Sequence, residues 1–145
     1  PLLQAKEKFI FIIENYPNTD FALDSKFKLD LIRDIMASKE MYLGRHYMKK
    51  EKWIAAINRF KNVIVNYDQT IFVEEALHRL VEINFRLGLK EESQKYANVL
   101  GYNYLSSDWY KKSFKVFNQD YTDQVYKPIK KNKKGVLEKF KKLFD

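Results

Sequence analysis

The chain contains no cysteine. Thiolate catalysis, disulfide staples and cysteine-ligated metals are excluded, and the absence suits an oxidising or a reducing compartment equally. Glycine and proline are scarce, four and three residues in 145. So few chain breakers, set among Lys, Glu, Leu, Ile and Ala, leave long stretches that can run as helix, and an all-α fold is expected. No apolar run approaches the roughly 20 residues that cross a bilayer as a helix. The opening Pro1-Leu-Leu-Gln-Ala-Lys6 has neither an initiator Met nor a signal-peptide pattern. It reads as a helix already under way, so an N-terminal part carrying any export signal is expected to precede it. There is no glycine-rich phosphate loop and no G-x-S-x-G elbow. Neither catalytic residues nor a cofactor are expected.

Apolar residues make up 46% of the chain and aromatic residues 16%. That is too hydrophobic for a disordered chain, and enough for the core of one domain or of part of a larger one. The net charge is +8, and eight Lys against one Glu fall between Lys127 and Phe144. A basic tail favours acidic proteins, anionic lipid headgroups or nucleic acid without choosing among them.

The strongest internal signal is a repeated phrase. Phe9-Ile-Phe-Ile-Ile-Glu-Asn-Tyr-Pro-Asn-Thr19 returns as Phe60-Lys-Asn-Val-Ile-Val-Asn-Tyr-Asp-Gln-Thr70, each copy preceded by an Ala four residues before its Phe, at Ala5 and Ala56. A helix-and-turn unit used twice marks a repeat protein, whose stacked units present surfaces to partners.

Helical periodicity divides the chain as follows. Pro1–Tyr16 forms a first helix, closed by Pro17-Asn18-Thr19-Asp20. A long helix runs from about Asp20 to Lys49, with Leu29, Ile32, Met36, Leu43 and Tyr47 in its apolar stripe. Lys49-Lys50-Glu51-Lys52 is a tight turn into a helix at Trp53–Tyr67. Phe72–Leu87 follows, stopped by Gly88. Glu91–Leu100 pairs back and ends at Gly101, and Ser106-Ser107-Asp108 caps a short helix from Trp109 to about Phe117. Residues 118–134 read as a polar linker. Residues 135–145 read as a basic amphipathic helix, with Val136, Leu137, Phe140, Leu143 and Phe144 on one face.

Leu43-Gly44-x-x-Tyr47, Ala56 and Phe60 resemble the tetratricopeptide spacing, in which small residues let helices approach and aromatics fill between pairs. The next unit is looser, with Ser93 at the Ala position. The expected architecture is therefore a tetratricopeptide-like α-solenoid of antiparallel helix pairs over residues 1–117. A narrower resemblance is carried by Ala5-x-x-x-Phe9, Asn15-Tyr16-Pro17-Asn18-Thr19, Trp53-Ile-Ala-Ala-Ile-Asn-Arg59-Phe60, Tyr67, and Gly101-Tyr-Asn-Tyr104 through Ser107-Asp-Trp-Tyr110. Together these phrases resemble the C-terminal half of the BamD family. The resemblance implies a non-enzymatic scaffold of β-barrel protein assembly at the periplasmic face of the outer membrane of a Gram-negative bacterium. It implies a lipid anchor on a cysteine outside this chain. It also implies docking of a POTRA domain of BamA by the C-terminal repeats, contact with other subunits of that machinery, and contact of the N-terminal repeats with unfolded outer-membrane proteins.

Carried over by position, Arg59 is the first candidate for partner contact, because its fork can grip a carboxylate with two hydrogen bonds. The plain alternative is a solvated charge beside Glu51 or another surface acid. Arg45, Tyr47, Lys49 and Lys52 are candidates for the border of the same patch, Tyr47 having also a core reading. Trp53 reads as packing or as an interface anchor. Trp109 and Tyr110 are expected to pack the last short helix onto the array. Glu75-Ala-Leu-His78 has Glu-x-x-His spacing, but a di-metal site needs two such motifs, and no metal is expected. His78 is read as a helix-face residue near Glu74 or Glu75, and Asp30 with Asp34 as a solvated face. The tail has three readings: docking on a groove or on the repeats, lying on an anionic membrane, or a solvated extension. Nucleic-acid binding through Lys130, Lys131, Lys133 and Lys134 is the rival function, though no aromatic stacking platform is interleaved with them. A generic adaptor in another pathway is the other rival.

Overall fold

The computed structural model describes residues 1–117. The linker expected at 118–134 and the tail helix with Val136, Leu137, Phe140, Leu143 and Phe144 lie outside the described residues. The described residues form six helices and no strand: α1 (Leu2–Asn15), α2 (Asp20–Lys49), α3 (Trp53–Asn66), α4 (Val73–Arg86), α5 (Lys90–Asn103) and α6 (Asp108–Val116). Each helix packs on the next in sequence, and α6 folds back on both α4 and α5. This is the expected tetratricopeptide-like array.

The repeated phrase produces a repeated turn. Tyr16 ends α1 at φ −131° and Tyr67 ends α3 at φ −133°, their N–H groups donating to the carbonyls of Ile12 and Val63. In each copy the threonine three residues on donates its hydroxyl to that tyrosine's carbonyl, Thr19 to Tyr16 at 2.7 Å and Thr70 to Tyr67 at 2.8 Å. Thr19 also caps α2 by accepting from Ala22 N–H at 3.2 Å. A third copy stands at the end of α5. Tyr104 has φ −139° and donates to Leu100, and Ser107 N–H returns to the Tyr104 carbonyl at 2.9 Å. Ser107 then caps α6 by accepting from Trp109 N–H.

Two other helices end in Schellman motifs. After α4, Gly88 takes φ +81°, and Leu89 N–H reaches the Asn84 carbonyl at 2.8 Å. After α2 the same left-handed position is held by Glu51 at φ +56°, with Lys52 N–H on the Tyr47 carbonyl at 2.9 Å. A side chain with a Cβ is strained there, where glycine would not be.

The core is centred on α4, nine of whose fourteen residues are buried. Met41 of α2, Ala56, Phe60 and Val63 of α3, and Ala76, Leu80 and Ile83 of α4 form one cluster. Val73 and Leu77 meet Leu100, backed by Tyr104, Trp109 and Tyr110. Val81 meets Ala97 and Val116, backed by Phe85 and Phe117. By contrast α1 buries no residue fully, and Phe21, Phe27 and Leu31 of α2 stay exposed.

Gly101 does not end α5, contrary to the sequence expectation. The helix runs on to Asn103, and Gly101 serves packing instead: a Cβ there would lie 2.8 Å from the Tyr110 ring. Gly44 plays the same part more sharply. A Cβ on it would lie 2.5 Å from Phe60 Cε1, and Phe60 is wholly buried between α2 and α4. Gly44→Ala is therefore expected to destabilise the fold by about 1–3 kcal/mol through overpacking, despite a helix-propensity gain of roughly 1 kcal/mol. In urea unfolding, adding Phe60→Leu should make the double variant cost less than the sum of the two singles.

Candidate functional site

A groove with a volume of about 590 Å³ runs along the outer junction of α2 and α3. Glu40 and Tyr47 line it from α2; Ala55, Asn58, Arg59, Lys61, Asn62, Val65 and Asn66 line it from α3. Arg59 Nη1 donates to both Glu40 oxygens, at 3.3 and 3.2 Å. The Arg59 side chain is 40% exposed and Glu40 14%, so the acid is the fixed member and the guanidinium faces outward. Arg59 uses a single nitrogen in this contact, and no other hydrogen bond from its fork is made among the described residues.

On the α4 side of α2 lies a different arrangement. Arg45 Nη1 donates to both Glu75 oxygens at 2.9 Å. Glu75 also accepts from Arg79 Nε at 3.4 Å, and Arg79 Nη1 donates to Glu82 Oε2 at 2.7 Å. Glu82 Oε1 lies 3.2 Å from His78 Nε2, and His78 Nδ1 lies 2.8 Å from the Ser113 hydroxyl of α6. A carboxylate only accepts, so Nε2 carries the proton toward Glu82 and, in the neutral ring, Nδ1 accepts from Ser113. Glu82, His78 and Ser113 are all buried. The Trp109 ring packs on His78 and lies 5.6 Å from the Arg79 guanidinium. Burial is the largest single influence on Arg79 and acts against its charge; Glu82 and then Glu75 outweigh it and hold its pKa above the ordinary arginine value. This run of polar contacts ties α2, α4 and α6 together. It is structural chemistry rather than an open site.

The sequence-expected residues separate accordingly. Arg59 and Tyr47 meet in the groove. The partner of Arg59 is Glu40 and not Glu51, which pairs with Arg86 at 3.7 Å. Arg45 is drawn to the α4 side by Glu75. Lys49 and Lys52 are exposed at the α2–α3 turn. Tyr47 and Trp53 are both half-buried against the first core cluster, with the Arg86 guanidinium 5.0 Å over the Trp53 ring. Tyr47 thus has a core side and a groove side. His78 is not the helix-face neighbour of Glu74 or Glu75 that its spacing suggested, because α6 covers it and Glu82, one turn on, takes its Nε2. Glu75 is engaged by two arginines. Asp30 pairs with Arg33 on the exposed face, at 2.9 Å, as the solvated reading requires. Glu40 and the Asn58, Asn62, Asn66 series escaped the sequence reading. Four-residue spacing of the three asparagines is a visible helical signal; Glu40 needs the α2–α3 register.

A family described as outer membrane lipoprotein matches residues 1–100. The chain is 49% identical over 112 residues to the outer membrane protein assembly factor BamD of Rickettsia prowazekii (strain Madrid E), which covers 77% of this chain and 45% of that protein. It is 39% identical over 129 residues to the factor of the same name from Caulobacter vibrioides, covering 88% of this chain and 42% of the relative. Against that of Neisseria meningitidis serogroup A, identity is 31% over 104 residues, covering 72% and 39%. The chain spans less than half the length of these relatives.

The buried and exposed ion pairs should respond very differently to mutation. Glu82→Ala takes the acceptor from His78 Nε2 and the closer of two acid partners from Arg79, and is expected to cost about 3–5 kcal/mol. Arg33→Ala, which breaks only the exposed Asp30 pair, should cost no more than about 1 kcal/mol. Chemical denaturation of the two variants measures both; similar losses would contradict the assignment of Glu82 as the buried junction.

Proposed function

The chain belongs to the BamD family of outer membrane lipoproteins, and on that premise we propose that it is the docking half of a scaffold subunit in outer-membrane β-barrel protein assembly. In this reading the α2–α3 groove receives a POTRA domain of BamA, at the periplasmic face of the outer membrane. The subunit is tethered by a lipid on a part of the protein outside this chain. The name shared by the relatives, outer membrane protein assembly factor, supports the setting. The observation that supports the site is the geometry of Arg59.

The action is binding, with no chemical step. Glu40 holds one nitrogen of the Arg59 fork, which keeps the guanidinium at the groove before any partner arrives. The remaining N–H groups then suit a partner carboxylate in a two-bond contact. The close approach of α2 and α3 at Gly44 and Phe60 keeps both walls of the groove in place, so docking orders little that is not already ordered. Tyr47 and Val65 supply apolar surface beside the charge, Val65 being 75% exposed.

Reversing the charge tests the assignment. Arg59→Glu should weaken binding of a purified POTRA-domain fragment at least tenfold, about 1.4 kcal/mol, with the helical circular dichroism unchanged. Unchanged affinity in a variant that keeps its helices would remove Arg59 from the interface.

A further inference from the structure

Three asparagines line the groove beside Arg59 at intervals of four residues, Asn58, Asn62 and Asn66. Asn58 and Asn66 are exposed and Asn62 is half-buried. Asn66 Nδ2 donates to Asn62 Oδ1, so two of the three carboxamides are already joined along one row of α3. That pairing leaves the Asn62 amide hydrogens and the Asn66 oxygen outside the bond, on residues that line the groove. Each carboxamide offers one acceptor and two donors, the groups that match a peptide unit.

The spacing fits one kind of ligand. Four helical residues rise about 6 Å, and the i, i+4 row is inclined roughly 26° to the axis, so successive carboxamides recur about every 6.7 Å along the row. A β-strand presents the same main-chain face every two residues, also about 6.6–6.8 Å. Three rungs cover about 13 Å, or four residues of strand. A helical ligand fits poorly. It would need apolar pockets at i, i+3, i+4 and i+7, whereas this groove offers Ala55, Val65 and one face of Tyr47 among amides and charges. Arg59 and Lys61 beside the ladder outnumber the groove's one acid, Glu40, and the net positive charge favours an acidic side chain on the strand.

We propose that Asn58, Asn62 and Asn66 are a carboxamide ladder that hydrogen-bonds the main chain of an exposed, acid-bearing edge strand of the docked module. Arg59 takes the strand's carboxylate and the ladder fixes its register. The proposal rests on the docking role of the groove and adds the chemistry by which the groove recognises its partner: peptide backbone first, side chains second.

The test uses the full chain and a folded POTRA-domain fragment, with affinity read by titration calorimetry and amide hydrogen exchange followed on the fragment. Asparagine-to-alanine changes on a helix surface favour the helix, so the variants should fold. Asn62→Ala is expected to weaken binding about fivefold, and the triple variant Asn58→Ala/Asn62→Ala/Asn66→Ala more than thirtyfold. Asn98→Ala on α5 should leave affinity within twofold. In the wild-type complex, alternate amides of one edge strand should gain protection and lose it with the triple variant. Replacing a protected residue of that strand by proline should abolish binding, while alanine at its outward positions should change affinity less than twofold. If Arg59→Glu weakens binding but the triple variant does not, the ladder falls and the docking role stands. If neither matters, or the fragment does not bind, both fall. Protection confined to a helix of the fragment overturns the ladder, as does a linear peptide that binds while the folded fragment does not.

Discussion

The ring of Phe60 occupies the space that a side chain at position 44 would need. A Cβ on Gly44 would stand 2.5 Å from it, so α2 and α3 approach at that point as closely as backbone and aromatic ring allow. Much else follows from this contact. It places Glu40 and Tyr47, on either side of Gly44 in α2, opposite the outer face of α3, which makes the walls of the groove. It also carries Phe60 through to Ala76, Leu80 and Ile83 of α4, so the helix pair and the next unit share one core. Interiors packed to crystal-like density deform little, and a docking surface built on such a junction keeps its shape when free.

A second constraint acts on the other side of α4. Burying Glu82 and His78 is costly unless both are satisfied, and satisfaction requires Arg79 beside them and Ser113 above. The short α6 therefore cannot slide along α4 by a residue without stranding an imidazole nitrogen. Apolar contacts around Val116 and Ala97 supply burial, while the polar chain supplies register. That division suits the last helix of an array, where no following repeat holds it in place.

The sequence showed the architecture well because helix period, turn chemistry and repeat spacing agree with one another. The phrases ending at Tyr16-x-x-Thr19 and Tyr67-x-x-Thr70 produce the same turn, and Tyr104-x-x-Ser107 is a third copy, disguised because Ala97 and Ser93 replace the earlier Phe and Ala. Ser93 keeps the role of a small residue: it is fully buried and its hydroxyl donates to the Val81 carbonyl at 2.9 Å. Gly101 misled because a glycine near a helix end reads as a stop, whereas here its missing side chain makes room for Tyr110. His78 misled for a related reason. Its Nδ1 partner is Ser113, thirty-five residues away on the helix that covers it, and local spacing carries no information about that. The groove was half visible: Arg59 and Tyr47 could be named, but the acid that holds Arg59 depends on which turn of α2 faces α3.

Burial also decides which ion pairs a partner can use. Three Arg–Glu contacts stitch neighbouring segments near the surface: Arg59 to Glu40, Arg45 to Glu75 and Arg86 to Glu51. Pairs of this kind are worth about 0–1 kcal/mol in water, so an incoming carboxylate that shares Arg59 displaces little. Arg79 is different. Its partner Glu82 is 5% exposed and its guanidinium lies against the Trp109 ring, and separating the two would take the closest ion-pair contact from a buried carboxylate. Arg45 stands between these cases, since its acid also serves Arg79. Drawing Arg45 outward would therefore disturb the buried chain, whereas drawing Arg59 outward disturbs only Glu40. Of Arg45 and Arg59, which both pair with a glutamate on another helix, Arg59 is the one a partner can engage with little cost to the fold.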